Sequence, residues 1–368
     1  MIMKNNTHGM QILTMKRKGY EEYFITAKLV EGEPLSSLFD IAARAVRDRD
    51  ACIISQDIFS LKDHRREGQG FLKGAFGEIS WPVTWVDDRT SGGMSGTHVW
   101  AVSGIPVESL HFAGRIIGSL FEDEYARYCR LGGLLPEDPS RPQAEQTQSL
   151  FDRMLEALKM SGLDFSRVFR TWYFNLDILS WYTEFNRIRN AFFTKHGVFD
   201  GLVPASTGMA GSNPAGAALQ SGLLALEPKS PEVRLEPVPS PLQCPALEYG
   251  SSFSRAVEVT TGDIQRLYIS GTASIDQYGK TVYKDDVEKQ IEHTFEVVDA
   301  ILRSQGMSFA DSTRGMAYFK RREDISSLDK YCKKFRLDPA TVLVSHNDIC
   351  RDDLLFEIEI DAVRRLPG

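Results

Sequence analysis

The residues best suited to chemistry lie near the C-terminal end of this 368-residue chain. In Phe356-Glu357-Ile358-Glu359-Ile360-Asp361 the alternation is that of a strand, with Glu357, Glu359 and Asp361 on one face and the apolar residues on the other. Such a face is either solvated or, if covered, a row of carboxyls whose pKa burial raises towards neutral pH, where one can deliver a proton. Cys350 stands just upstream, across the turn Arg351-Asp352-Asp353. A free cysteine there is either a buried small hydrophobe or a thiol at a site. Other chemistries lack their residues. The seven histidines show no HxH or HExxH spacing, so neither a metal site nor any other cofactor is expected. No GxSxG elbow occurs. Ser91-Gly92-Gly93-Met94-Ser95-Gly96 lacks the continuation of a phosphate-binding loop and reads as a flexible loop, and Asn213-Pro214-Ala215-Gly216 reads as a turn.

Composition narrows the setting. A net charge of −7 and one short basic cluster, Lys320-Arg321-Arg322, disfavour a nucleic-acid partner. The five cysteines (Cys52, Cys129, Cys244, Cys332, Cys350) form no CxxC pair, which argues against a disulfide framework or a zinc ribbon. Apolar runs such as Leu219 to Leu226 fall far short of the roughly 20 residues that span a bilayer. With no apolar segment of signal-peptide length between Met1 and Gly19, a cytoplasmic location is expected.

The elements that must position these residues repeat. Gln146, Phe151, Leu158, Gly162, Phe165 and Arg170 match Gln290, Phe295, Leu302, Gly306, Phe309 and Arg314 at a constant offset of 144. In each copy an amphipathic helix (Glu145 to Met160; Val287 to Ser304) runs to a glycine that can end it. A strand follows (Val168–Phe174; Ser312–Phe319), then a second helix (Ile178–Phe193; Ile325–Phe335) and two more strands. The fold class is therefore α+β, two tandem units, each a mixed sheet with two helices packed on one face. Six prolines between Glu227 and Pro245 mark the join as a linker or crossing strand. The expected division is 1–235, whose first 95 or so residues elaborate the first unit, and 236–368. Those extra residues read as strands Glu22–Leu29 and Ala51–Ile58 and a helix Leu35–Arg47.

Ile269-Ser270-Gly271-Thr272-Ala273, Gly306 and the closing Phe356-Glu357-Ile358-Glu359-Ile360 resemble the Rid (YjgF-like) family, whose chorismate-mutase-like trimers bind ligands at subunit clefts. The larger set resembles the chorismatase family over about residues 98–365. It includes Arg170-Thr171-Trp172-Tyr173-Phe174, Pro204-Ala205-Ser206-Thr207-Gly208, Ser240-Pro241-Leu242-Gln243, Tyr249 to Arg255, and Asp348-Ile349-Cys350-Arg351. Members of that family remove the enolpyruvyl group of chorismate as pyruvate and are similar in fold to tandem Rid units. One departure counts against Rid-type imine hydrolysis. Where those proteins carry Arg-x-Cys, this chain has Val342 and Val344, which cannot clamp a carboxylate.

The resemblance implies an enzyme that makes pyruvate and 3-hydroxybenzoate from chorismate, a small-molecule substrate, with a homotrimer as the family's assembly. It marks Glu357 as the acid that protonates the enol ether. It marks Cys350 as the residue steering outcome, cysteine going with 3-hydroxybenzoate and an aliphatic residue with hydrolysis. Ala273 is a second candidate steering position, beside Gly271. Two substrate carboxylates require arginine. Arg255 and Arg351 are the main candidates, with Arg170 and Arg187 behind them, since the repeat mate Arg314 gives Arg170 an equally good structural role. Tyr173, Tyr249 and Gln243 could add hydrogen bonds or merely pack. The alternatives are hydrolysis to a dihydroxycyclohexadiene carboxylate or 4-hydroxybenzoate, and a non-catalytic ligand-binding protein on the same scaffold. The endoribonuclease activity sometimes attached to this fold fits poorly with the net charge of −7.

Overall fold

Three six-stranded sheets with one strand order organise the chain. A computed structural model describes residues 2–61, 64–89 and 96–366, so the glycine-rich run at Ser91 lies, as far as residue 95, outside the described residues. The first sheet takes β1 (Ile2–Thr7), β2 (Met10–Lys16), β3 (Glu21–Lys28), β4 (Cys52–Leu61), β5 (Val83–Asp88) and β6 (Gly96–Ser103), ordered β1-β2-β3-β6-β4-β5. Its helices are α1 (Leu35–Arg47) and α2 (Arg65–Phe76). The second takes β7 (Glu108–Phe112), β8 (Arg115–Glu122), β9 (Ala126–Leu134), β10 (Val168–Asn175), β11 (Ala205–Ala210) and β12 (Leu219–Pro228), ordered β7-β8-β9-β12-β10-β11, with α3 (Gln143–Met160) and α4 (Ile178–Lys195). The third takes β13 (Arg234–Val238), β14 (Ala256–Thr261), β15 (Ile264–Ala273), β16 (Ser312–Phe319), β17 (Val342–His346) and β18 (Phe356–Arg365), ordered β13-β14-β15-β18-β16-β17, with α5 (Val287–Ser304) and α6 (Leu328–Phe335).

The two tandem units are the second and third of these. Residues 1–95 do not elaborate either one. Their strands pair among themselves and with β6, which takes β3 on one side and β4 on the other, and so build a third unit of the same order. In each unit the second helix carries the chain between parallel neighbours, β4/β5, β10/β11 and β16/β17, as a crossover must. Gly162 and Gly306 sit at φ +74° and +65°, the left-handed conformation that closes a helix without a Cβ clash. The proline-rich join is a crossing strand in part, because β13 pairs with β14 at a sheet edge.

Alternation divides each sheet between two cores. On β10, Tyr173 joins the core under α3 and α4, while Trp172 and Phe174 point the other way. On β16, Ala317 and Phe319 pack under α5 and α6, while Met316 and Tyr318 point inward. The inward residues of all three sheets form one apolar cluster, to which the first sheet gives Phe59 and Val86. Each large side chain buried there contributes on the order of 1.5–3 kcal/mol. The sheets thus turn their helix-free faces to a common centre, and a cleft opens where the second and third meet. Among the described residues, no helix is long and apolar enough to cross a membrane.

Candidate active site

The alternation of β18 points Glu357, Glu359 and Asp361 at that common centre. Glu357 is 4% exposed and Glu359 0%, so the acidic face is buried, not solvated. The three carboxyls meet different fates. Glu359 accepts from Arg170 Nη2 at 2.6 Å, Arg314 Nη1 at 2.6 Å and Trp172 Nε1 at 3.0 Å, and also from the Thr207 hydroxyl. Those partners hold it below its ordinary pKa despite burial. Asp361, with Arg314 3.7 Å away, is pushed up to about 6, chiefly by burial. Glu357, at the open end of the row, has no hydrogen-bond partner among the described residues. Burial first, then the charge of Glu359, push its carboxyl up to about 8, against the pull of Arg170, Arg255 and Arg351.

A bulge makes room for it. The β15–β18 register slips by one residue between Ile269 and Thr272, at Ser270-Gly271. A Cβ on Gly271 would collide with Glu357 Oε1, so the absence of a side chain there sets the position of the acid. The bulge is fastened to the second unit. Ser270 Oγ accepts from Ser206 N at 2.8 Å and donates to Ser254 O at 2.6 Å, and Gly271 N donates to Thr207 Oγ1 at 3.1 Å.

Glu357 opens into a cleft of about 540 Å³ between β11 and α4 of the second unit and the ends of β15 and β18. Cys350 lines it, and burial, with Glu357 next, pushes the thiol up to about 12, so it is neutral near pH 7. Three lining arginines form no ion pair among the described residues. Arg255 donates through Nε and Nη2 to Cys244 O at 3.0 and 2.8 Å, and Arg351 through Nη1 to Gly279 O at 2.8 Å. Their guanidinium carbons lie 5.3 and 5.1 Å from the Tyr249 ring. The third, Arg189, is 1% exposed, donates through Nη2 to Asn186 Oδ1 at 2.7 Å and leaves Nε unpartnered. Sequence reasoning missed Arg189 and gave no site role to its cleft neighbour Tyr182, although Trp181-Tyr182 belongs to the motifs that resemble chorismatases. The signal was available, because Tyr182, Phe185, Arg189 and Phe192 form one helical stripe and an arginine breaks its apolar run. A buried carboxylic acid faced by three uncompensated guanidiniums can bind an anion and protonate it.

The third unit, over residues 246–364, matches the family model described as Endoribonuclease L-PSP. Two curated proteins of Streptomyces hygroscopicus extend the likeness. A 3-hydroxybenzoate synthase is 28% identical over 251 residues, 60% of this chain and 70% of that protein. A chorismatase is 27% identical over 301 residues, 76% of this chain and 82% of that protein. A crystal structure of a chorismatase superposes with a TM-score of 0.67 at 21% identity, over 92% of this chain and 98% of that one. This chain is thus similar in sequence and in fold to chorismatases.

Within the cleft lie Glu357, Cys350, Arg255, Arg351, Tyr249, Gly271 and Ala273 of the residues expected from sequence. Three others lie elsewhere. Arg170 is fully buried on Glu359 and Thr207. Losing one partner of such a pair costs about 3–5 kcal/mol, which makes its role structural. Tyr173 is not a ligand contact, because its position on β10 turns it into the core against Phe151 and Phe185. Gln243 donates at 2.9 Å to both Ala273 O and Ile275 O, so it fixes the end of β15 behind the cleft. Arg187 borders the cleft but is paired with Glu184 at 2.7 Å. Val342 and Val344 pack in the helix-side core.

The other two units have no such acid. Glu357 stands opposite Tyr318 on its neighbouring strand; the residues in that place are Gln220, opposite Phe174, and Gly96, opposite Phe59. Gln220 Nε2 donates to Trp85 O at 2.6 Å, and Gly96 is packed against Leu343.

Proposed function

We propose that this chain cleaves the enolpyruvyl ether of chorismate, releasing pyruvate and forming 3-hydroxybenzoate. The observation that carries this reading is the Glu357 carboxyl, desolvated and unpartnered among the described residues, in a cleft where Arg189, Arg255 and Arg351 form no ion pair among those residues. Chorismate is a dianion, and Arg189, Arg255 and Arg351 are the cations positioned to receive its two carboxylates. Protonated at neutral pH, Glu357 delivers its proton to the enol-ether methylene carbon, and the positive charge develops on the adjoining carbon and the ether oxygen. The ring hydroxyl next to that ether adds to the cation and gives a cyclic ketal, losing its proton. The bond between ring and former hydroxyl oxygen then breaks, as does the bond between the side-chain carbon and the ether oxygen. The hydroxyl oxygen leaves as the pyruvate carbonyl, the ether oxygen stays on the ring as the 3-hydroxyl, the ring carbon that bears it loses its proton as the ring becomes aromatic, and no water is consumed. Cys350, a neutral thiol on the cleft wall, keeps water from competing with that hydroxyl. Support comes from the names of the two Streptomyces relatives and from the steering role that the family resemblance gives a cysteine at this place. Incubation with chorismate, followed by lactate dehydrogenase-coupled pyruvate assay and chromatography of the ring product, tests it. Equimolar pyruvate and 3-hydroxybenzoate are expected. A diene acid as the main product would place the reaction with hydrolysis, and no pyruvate at high enzyme concentration would overturn the reading.

A further inference from the structure

Glu359 takes no part in the chemistry above, yet four side chains donate hydrogen bonds to it. It is fully buried and collects two guanidiniums, an indole N–H and a hydroxyl, from β10, β11 and β16. Glu357 lies two residues away on the same face of β18, roughly 6–7 Å along the strand. Arg170 is the link between them. It is 0% exposed, and Glu359 is the one carboxylate it pairs with among the described residues. Without Glu359, the acids within its electrostatic reach are Asp361 and Glu357, and Glu357 is the one of these that lines the cleft. A guanidinium paired with Glu357 would favour the carboxylate and remove the proton that the reaction needs.

We propose that Glu359 is a positioning residue that occupies Arg170, Arg314 and Thr207 and so keeps Glu357 protonated. This rests on the reading of Glu357 as the acid. Thr207 joins the two functions: its hydroxyl donates to Glu359 and accepts from Arg170 Nη2 at 2.8 Å and from Gly271 N at 3.1 Å, which fixes the bulge that seats Glu357. Other groups act on Glu357 from every side. Tyr318 faces it from β16 and Tyr182 from α4, while Cys350, Arg255 and Arg351 face it from the loops of the third unit. None of these touches Glu359 by hydrogen bond, so changing Glu359 leaves them in place.

The test is Glu359→Gln. The alkaline limb of kcat with chorismate is expected to move at least one pH unit lower, with KM changed less than threefold, since Glu359 does not line the cleft. Adding Arg170→Met should move the limb back. Uniform loss of kcat with an unmoved limb would overturn the proposal and leave Glu359 a purely structural residue. A substrate-free measurement separates this from the functional reading. In ligand-free protein labelled with ¹³C-glutamate, the Glu357 carboxyl resonance, assigned with Glu357→Gln, should titrate at least one unit lower in Glu359→Gln. That result without chorismate turnover would uphold the positioning role and sink the chorismate reading. Should Glu359→Gln fail to fold, Thr207→Val removes one Glu359 partner and strands no charge. Its Glu357 resonance should titrate lower, and an unchanged titration overturns the proposal.

Discussion

We assign the chemistry to one carboxyl among three because its neighbours differ. Glu357, Glu359 and Asp361 share a strand face, but arginine pairing keeps Glu359 ionised while burial without a partner pushes Glu357 up to about 8. The acid works in its protonated form, which is present below that value and lost above it. We expect kcat to be flat below about pH 7 and to fall tenfold per unit well above pH 8, as a pH-rate profile will show. A carboxylate acting as base would give the opposite slope. Cys350 tests the fate of the cation. Replacing it by valine removes the thiol from the cleft wall, and the ratio of 3-hydroxybenzoate to the hydrolytic diene acid should fall in chromatograms of the products. At this scale the sequence was informative in part. The period of β18 located the acidic face, and the family resemblance singled out Glu357 and Cys350. Neither could tell a buried face from a solvated one, because the cover comes from strands more than a hundred residues away, at Arg170 and Thr207. Arg170 and Tyr173, left open between substrate contact and structure, lie outside the cleft for different reasons: Arg170 faces the centre but is taken up by Glu359, and Tyr173 faces the helices.

At the scale of elements, the bulge of β15 is the device that seats the acid. Ser270 ties it to both units, and Gly271 leaves the space that Glu357 Oε1 occupies. Gly271→Ala should therefore displace the acid and not unfold the sheet. A loss in kcat of about a hundredfold is expected, the scale of an ångström-sized misplacement, with thermal stability nearly unchanged. Calorimetry and steady-state kinetics on the same preparation will separate the two. The helices and their glycine caps were legible because their apolar stripes have a clear period. The boundaries of α5 and β16 came out as expected, while α6 begins at Leu328, after a tighter turn over Arg322–Ser327. The repeat signal stops at Arg314 because the loops after it differ in length: Gln220 and Glu357 hold equivalent places at an offset of 137, not 144.

At the scale of the whole molecule, three sheets of one order surround a common centre within a single chain. The first was legible as elements, since β3, β4 and α1 lie where the sequence placed two strands and a helix, but not as a third copy, because it keeps the topology and not the residues. Ser55 stands where Arg170 and Arg314 follow the bulge, and Gly96 stands where Glu357 does. With Gln220 and Gly96 in the equivalent places of the other two units, Glu357 is the one acid at this register position among the described residues. Because one chain supplies both walls of that cleft, assembly is not needed to complete it. We expect light scattering to give the 41.4 kDa of one chain, while three times that mass would show that the trimer implied by the resemblance forms after all. The net charge of −7 means that a dianion is drawn in by the local field of Arg189, Arg255 and Arg351 against an unfavourable background.

The central claim is that Glu357 protonates the enol ether of chorismate. Its most direct test is pyruvate release from chorismate by the intact chain and by Glu357→Gln, which keeps the shape of the side chain and removes the transferable proton. The account predicts steady pyruvate formation by the first and a kcat lower by roughly 10²–10⁴-fold in the second, with substrate still bound. Full turnover by Glu357→Gln would contradict it.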